Sequence, residues 1–240
     1  MAIALVQSAT GTSTSGTVSW AFSGATTSGN LIVGAFAADD YNGSPTSGWT
    51  QSSEMEQQGF HGSYLWWRIS TGETNPQAYT IGSSSGSCWM LAEFSGIDAS
   101  PYDTSQGLLT NSTLRTYDTD NITPSSGGRL LVATLGGSGG YSLVGYAVGA
   151  WTNSFTAVGT INTGNTSATN DIIGMAYRLV TGNGSTAFST GGEYGAAGGQ
   201  VCQSRSALII AFKEAAGGGS IKRWPPQMQG GMRSLSGGMQ

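Results

Sequence analysis

Four blocks of this sequence occur twice, in the same order. SGNLIVGAFAADD, around Leu31, returns as SGGRLLVATLGGS around Leu130, 99 residues on. SGWTQSS returns as GAWTNSF (Trp49, Trp151), and LWWRISTGETNPQAYTI as MAYRLVTGNGSTAFSTG (Arg68, Arg178). CWMLAEF returns as SALIIAF (Phe94, Phe212), by which point the spacing has grown to 118. Order kept across four blocks while the connections lengthen marks a duplicated unit. The fold must therefore be one that two similar halves can complete together.

Each block reads as a strand. LIVGAFA and LLVATL are short apolar runs bounded by Gly and Ser, the pattern of strands buried on both faces. YLWWRIS alternates, with Leu65, Trp67 and Ile69 on one face and Tyr64, Trp66 and Arg68 on the other. Its second copy puts Met175, Tyr177 and Leu179 inside, and Gly174, Ala176 and Arg178 outside. TGETNP and TGNGST are turn sequences expected to close a hairpin after that strand. No segment carries a capped 3.6-residue period. The expectation is an all-β, jelly-roll-like β-sandwich over residues 1–214, built from halves of about 1–99 and 100–214, with STLRTYD in the second half in the role of GTVSWAF in the first.

Composition agrees and excludes some functions. Charged residues make up 9% of the chain, against about 25% in ordinary soluble domains. The 39 Gly suit tight turns, while 7 Trp, 9 Tyr and 7 Phe exclude a disordered low-complexity chain. Of the nine bases, Lys222, Arg223 and Arg233 lie in the tail, which has no acid; the body keeps six against thirteen acids, a charge of −7. Such a body argues against nucleic-acid binding. No run approaches the length of a membrane span, and MAIALVQSATG lacks the features of a signal peptide. Synthesis in a host cytoplasm is expected. Cys88 and Cys202 form no metal-binding spacing, and whether they are linked is left open.

At the repeated blocks the sequence resembles a family of phage-encoded and bacterial surface β-sandwich proteins. The likeness rests on the strand Leu31–Ala37, SPTSGWT (44–50), WWRISTGETNPQAYTI (66–81), MLAEFSGID (90–98) and ALIIAF (207–212). It covers roughly residues 3–213 and brings no catalytic signature. The resemblance implies a sandwich on a virion or cell surface, and with it virion partners and a homo-oligomer or symmetric array.

Candidate chemistry is sparse. His61, the one histidine, stands among Gly and Ser with no nucleophile elbow nearby. Glu54, Glu56 and Glu93 are the carboxylates a glycoside hydrolase would have to use, but Glu93 is expected to pair with Arg68 or Arg178 across the sheet. Asp39, Asp40 and Asn42 could offer loop oxygens to calcium, yet they lack the spacing of a Ca²⁺ loop and read as a solvated turn. No enzyme and no cofactor are expected. Tyr64 and Trp66 are the sharper pair. On a bare outer face they would form a stacking platform for a glycan or a neighbouring protein; beneath a covering loop they would be core.

The segment from 215 onward departs from everything before it. Gly217, Gly218 and Gly219 interrupt the last strand. Beyond them Lys222, Arg223, Trp224, Pro225, Pro226, Met228, Met232 and Arg233 combine cations, an extended Pro-Pro course and adaptable apolar side chains. Such a segment gains stability by lying in a groove of a partner. The expected role is a bacteriophage virion structural protein, a capsid cement or decoration protein, docked through a C-terminal arm (215–240). A carbohydrate-binding tail-fibre or adhesion module is the alternative, and a glycoside hydrolase the third.

Overall fold

The computed structural model describes residues 2–13, 17–18, 20–38, 47–57, 61–74, 79–80, 87–110, 116–139, 147–164, 170–195 and 204–216. The first half supplies strands β1 (Ala4–Ser13), β2 (Thr17–Val18), β3 (Leu31–Ala38), β4 (Thr50–Gln57), β5 (His61–Ile69), β6 (Tyr79–Thr80) and β7 (Ser87–Ser95). The second supplies β8 (Ile97–Thr110), β9 (Thr116–Asp118), β10 (Gly127–Gly139), β11 (Ala147–Gly149), β12 (Thr156–Asn162), β13 (Asn170–Gly182), β14 (Gly191–Gly195) and β15 (Ser204–Glu214). Among the described residues there is no helix.

Each half builds one five-stranded antiparallel sheet, in the orders β1-β7-β3-β5-β4 and β8-β15-β10-β13-β12. The two orders match strand for strand along the aligned blocks. Even the irregularities repeat. The edge strand bulges after Leu5, opposite Phe94, and after Tyr102, opposite Phe212. The other edge bulges after Gln51, opposite Trp66, and after Ala157, opposite Ala176. A bulge re-aims a strand locally, so the two halves share curvature as well as connectivity.

The sheets face one another over a core that holds Leu31, Val33, Leu65, Met90 and Phe94 from the first, and Leu130, Val132, Ile173, Ile210 and Phe212 from the second. Edge β4 lies against β8, and β1 against β12. These two edges correspond under the duplication, so the sandwich has an internal pseudo-twofold relation. Neither sheet leaves its outer face bare. Trp20 and Phe22, ahead of β3, lie over the first, and β11, β14 and β9 over the second. The cover on the first sheet is why β3 is buried along its whole length, as its unbroken apolar run predicts. β2 pairs with β6 as β9 pairs with β14, so GTVSWAF and STLRTYD each supply a strand outside the five-stranded sheets.

Two expectations need correction. TGETNP and TGNGST do not close hairpins. Both edges of β5 are occupied by β3 and β4, so the chain after it crosses to β6, which pairs with β2. Leu179, expected inside, is 49% exposed; it falls near the end of β13, opposite Leu130 and past the last pairing with β12.

Candidate functional site

The last described residues, up to Ala216, sit at a junction of three chain segments. Ala215 N–H donates to the Gly96 carbonyl at 2.9 Å, closing the last strand onto the joint between the two halves. Gly96 has φ +73°, and a Cβ there would lie 2.5 Å from the Ala2 carbonyl oxygen. Only glycine fits that conformation and that approach at once. Beside the junction lies a cleft of about 280 Å³ whose walls include Ala2, Ile3, Arg129, Leu179 and Glu214. The exposed Leu179 and the Glu214 carboxylate give it one apolar and one acidic wall. The arm residues Lys222, Arg223, Trp224, Pro225, Pro226, Met228, Met232 and Arg233 lie outside the described residues.

The other end of the two sheets is marked by a second set of strand termini. Ser13, Ala38, Gln57 and Ser87 terminate strands there in the first half, and Thr110, Gly139, Asn162 and Ser204 in the second. A hydrogen bond between the Ser63 and Ser206 hydroxyls ties the two sheets at this end. The described chain therefore ends, at Ala216, at the Gly96 end of the sandwich.

Tyr64 and Trp66 belong to the core of the first outer layer. Trp66 is fully buried and Tyr64 is 4% exposed. Their cover is Trp20, from the chain between β2 and β3, which lies against Gly34. A Cβ at Gly34 would collide with the Trp20 ring, so an otherwise apolar strand needs glycine at this one point. Trp20 stacks on Trp66 (5.7 Å, 22°) and on Trp89 (6.1 Å, 17°), and meets Trp49 edge-on. Arg68 lies over Trp49 at 5.7 Å from the ring centre. The pair is thus a structural element, and a glycan platform on these two rings is ruled out by their burial.

Glu93 pairs with neither arginine. Its carboxylate is buried and accepts from Gln7 Nε2 (2.6 Å), Asn30 Nδ2 (2.7 Å) and the Thr27 N–H (2.8 Å). Three donors held by the fold replace the expected countercharge. Arg68 instead reaches Glu73 at 3.0 Å, and Arg178 donates to the Asn153 carbonyl and stacks on Phe188. Burial opposes the charge on Glu73, but hydrogen bonds from its own and the Thr71 backbone and from the Thr71 hydroxyl, with Arg68 beside it, bring its pKa below the ordinary value. Asp103 follows the same logic: burial is outweighed by Ser125 and Arg129, whose Nε lies 2.7 Å away.

Cys88 is a free, buried thiol. Burial first, and the Asp171 charge second, push its pKa well above the thiol range, which makes it unreactive. Burial likewise raises the Tyr117 phenol, whose OH donates to the Leu108 carbonyl. Among the described residues no three His, Cys, Asp or Glu side chains are grouped to hold a metal. Asp39, Asp40, Asn42 and Cys202 lie outside the described residues, as do the side chains of Glu54, Glu56 and His61. The junction at Gly96 is the feature that the sequence alone did not locate; a Gly between two strand patterns, FSGID, was its signal. The chain matches no family model, no curated protein and no solved structure.

Proposed function

We propose that the protein is a structural component of a bacteriophage virion, a capsid cement or decoration protein that docks on neighbouring subunits through its C-terminal arm. The observation that supports this reading is the place of the last described residues: Glu214–Ala216 lie beside Gly96, so whatever follows them starts from one end of the sandwich. Residues 215–240, fully extended, reach about 90 Å at most. An arm that starts there can engage a neighbour while the other end of the sandwich projects from the particle.

Charge supports the same reading. The arm carries three bases and no acid, and the body carries −7, so the arm is attracted to acidic surfaces, including the bodies of adjacent copies. The doubly covered sheets suit a rigid building unit. A fold of this class assigns no activity by itself, and no described residue group favours a catalytic reading.

The test is co-purification of the full chain with intact virions on a density gradient. A full-length variant carrying Arg223→Glu and Trp224→Ala should keep the wild-type melting temperature and leave the particle fraction. Retention of the variant on particles, or absence of the wild type from them, would overturn the proposal.

A further inference from the structure

We infer that the cleft on the long edge of the sandwich between β4 and β8 is a binding site for a neutral saccharide. The inference does not depend on the arm or on the virion reading.

The duplication supplies an internal control. On the β1/β12 edge, Leu5, Val158 and Tyr177 pack onto the central core. The register places Tyr102, Ser52 and Trp67 at the matching positions of the β4/β8 edge. There a cleft of about 350 Å³ opens, lined by Thr50, Gln51, Ser52, Trp67, Tyr102 and Ser105. Its size falls in the range of small-ligand clefts, about 300–1,000 Å³. A simple packing defect would be a smaller apolar side chain at one edge position. Here the leucine position carries a larger residue, and Tyr102 is nevertheless 44% exposed, while the valine position carries a hydroxyl.

The lining selects the ligand class. It combines two aromatic rings, three aliphatic hydroxyls and one carboxamide, and among the described residues it has no charged side chain. The C–H-rich face of a pyranose carries slight positive charge and rests well on the negative face of an aromatic ring. Sugar hydroxyls need partners that both donate and accept, which Ser, Thr, Tyr and Gln provide. The Tyr102 and Ser105 hydroxyls lie 3.3 Å apart and share one hydrogen; the Ser52 hydroxyl donates to the Leu65 carbonyl. All three keep acceptor sites free. Among the described lining residues an anionic ligand finds no cation and a cationic one no carboxylate.

The experiment is saturation-transfer NMR on the full chain with maltose, cellobiose, lactose and N,N′-diacetylchitobiose, with 3′-sialyllactose as the acidic comparator. At least one neutral disaccharide should give a saturable response that exceeds that of the acidic sugar. Tyr102→Leu, which installs the residue of the corresponding edge, should weaken binding tenfold or more. Tyr102→Leu combined with Ser52→Val and Gln51→Ala should abolish it, with an unchanged melting temperature. If the triple variant does not fold, Tyr102→Leu alone decides. No response to any of the four disaccharides, a stronger response to the acidic sugar, or a response unaffected by Tyr102→Leu would overturn the inference.

Discussion

The two sheets of this sandwich have the same strand order and the same bulges, yet they cover their outer faces by opposite means. The first uses bulk. Phe36, Tyr64, Trp66 and Trp89 rise from the sheet and Trp20 lies among them. The second has Leu135, Gly174, Ala176 and Ala207 at the aligned positions. It fills the space by bringing backbone close: Val148 of β11 sits over Gly174, and a Cβ there would lie 2.5 Å from the Val148 Cβ. Tyr117, Ile122 and Phe155 complete the layer. Large side chains beneath a single segment and small side chains beneath an added strand reach the same end, because packing density is the constraint and the source of the atoms is not.

That equivalence breaks most sharply where the bulk is. Trp66→Ala gives the first half the residue of the second without the β11-like strand that makes alanine workable there. A cavity follows, and the expected loss is about 3–5 kcal/mol, read as a fall in the urea midpoint. Ala176, already alanine, is covered in place. The reverse intrusion is gentler. Gly174→Ala pushes one methyl into Val148 and should cost about 1–3 kcal/mol. A neutral result at Gly174 would mean that β11 shifts freely and that the second cover is not close-packed.

How much of this was legible depends on the range of the interaction. The repeats, the buried strands β3 and β7, and the alternation that puts Leu65 inward and Trp66 outward are written in local pattern, which strand geometry converts directly into faces. The identity of the cover is not. Trp20 alternates with Val18 and Phe22 in GTVSWAF, but that pattern does not say which sheet it lands on, and only Gly34, a lone glycine in an apolar run, marks the place that receives it. Glu93 finds Gln7 across 86 residues and Asn30 across 63, pairings that no spacing encodes. A buried carboxylate in an apolar strand predicted a partner, and the nearest cations were the wrong choice because neutral donors at strand ends satisfy it. The β4/β8 cleft is farther still from pattern: it emerges only when two edges are related by the pseudo-twofold.

The halves also differ in how they tie the bulged edge strand to the central one. In the first, Gln7 of β1, Glu93 of β7 and Asn30 before β3 form a link with one charge. In the second, Ala211 takes the place of Glu93, and Asp103 at the bulge of β8 reaches Arg129 of β10. Glu93→Gln keeps the volume but turns an N–H₂ group toward groups that donate. A loss of about 1–2 kcal/mol is expected. No loss would show that the first link is dispensable where the second half uses an ion pair.

The smallest expected effect concerns the turn after β5 and β13. Glu73 occupies the position that Asn183 holds in the second copy. Both accept from the backbone around them: Glu73 from the Thr71 N–H at 2.7 Å, and Asn183 from the Thr186 N–H at 2.7 Å. Only Glu73 titrates. Its folded pKa lies below the ordinary value, so its contribution is present above the unfolded value of about 4.3 and is lost as pH falls through the depressed folded value. Glu73→Gln should cost less than about 1 kcal/mol at pH 7, since the Arg68 pair is partly solvated. The stability curves of the variant and the wild type should run parallel in the neutral range and merge in acid. Asp103, also depressed, keeps an acid limb in both curves. Parallel curves all the way down would mean that the turn draws nothing from the charge, and that the carboxylate of one half and the carboxamide of the other do the same work.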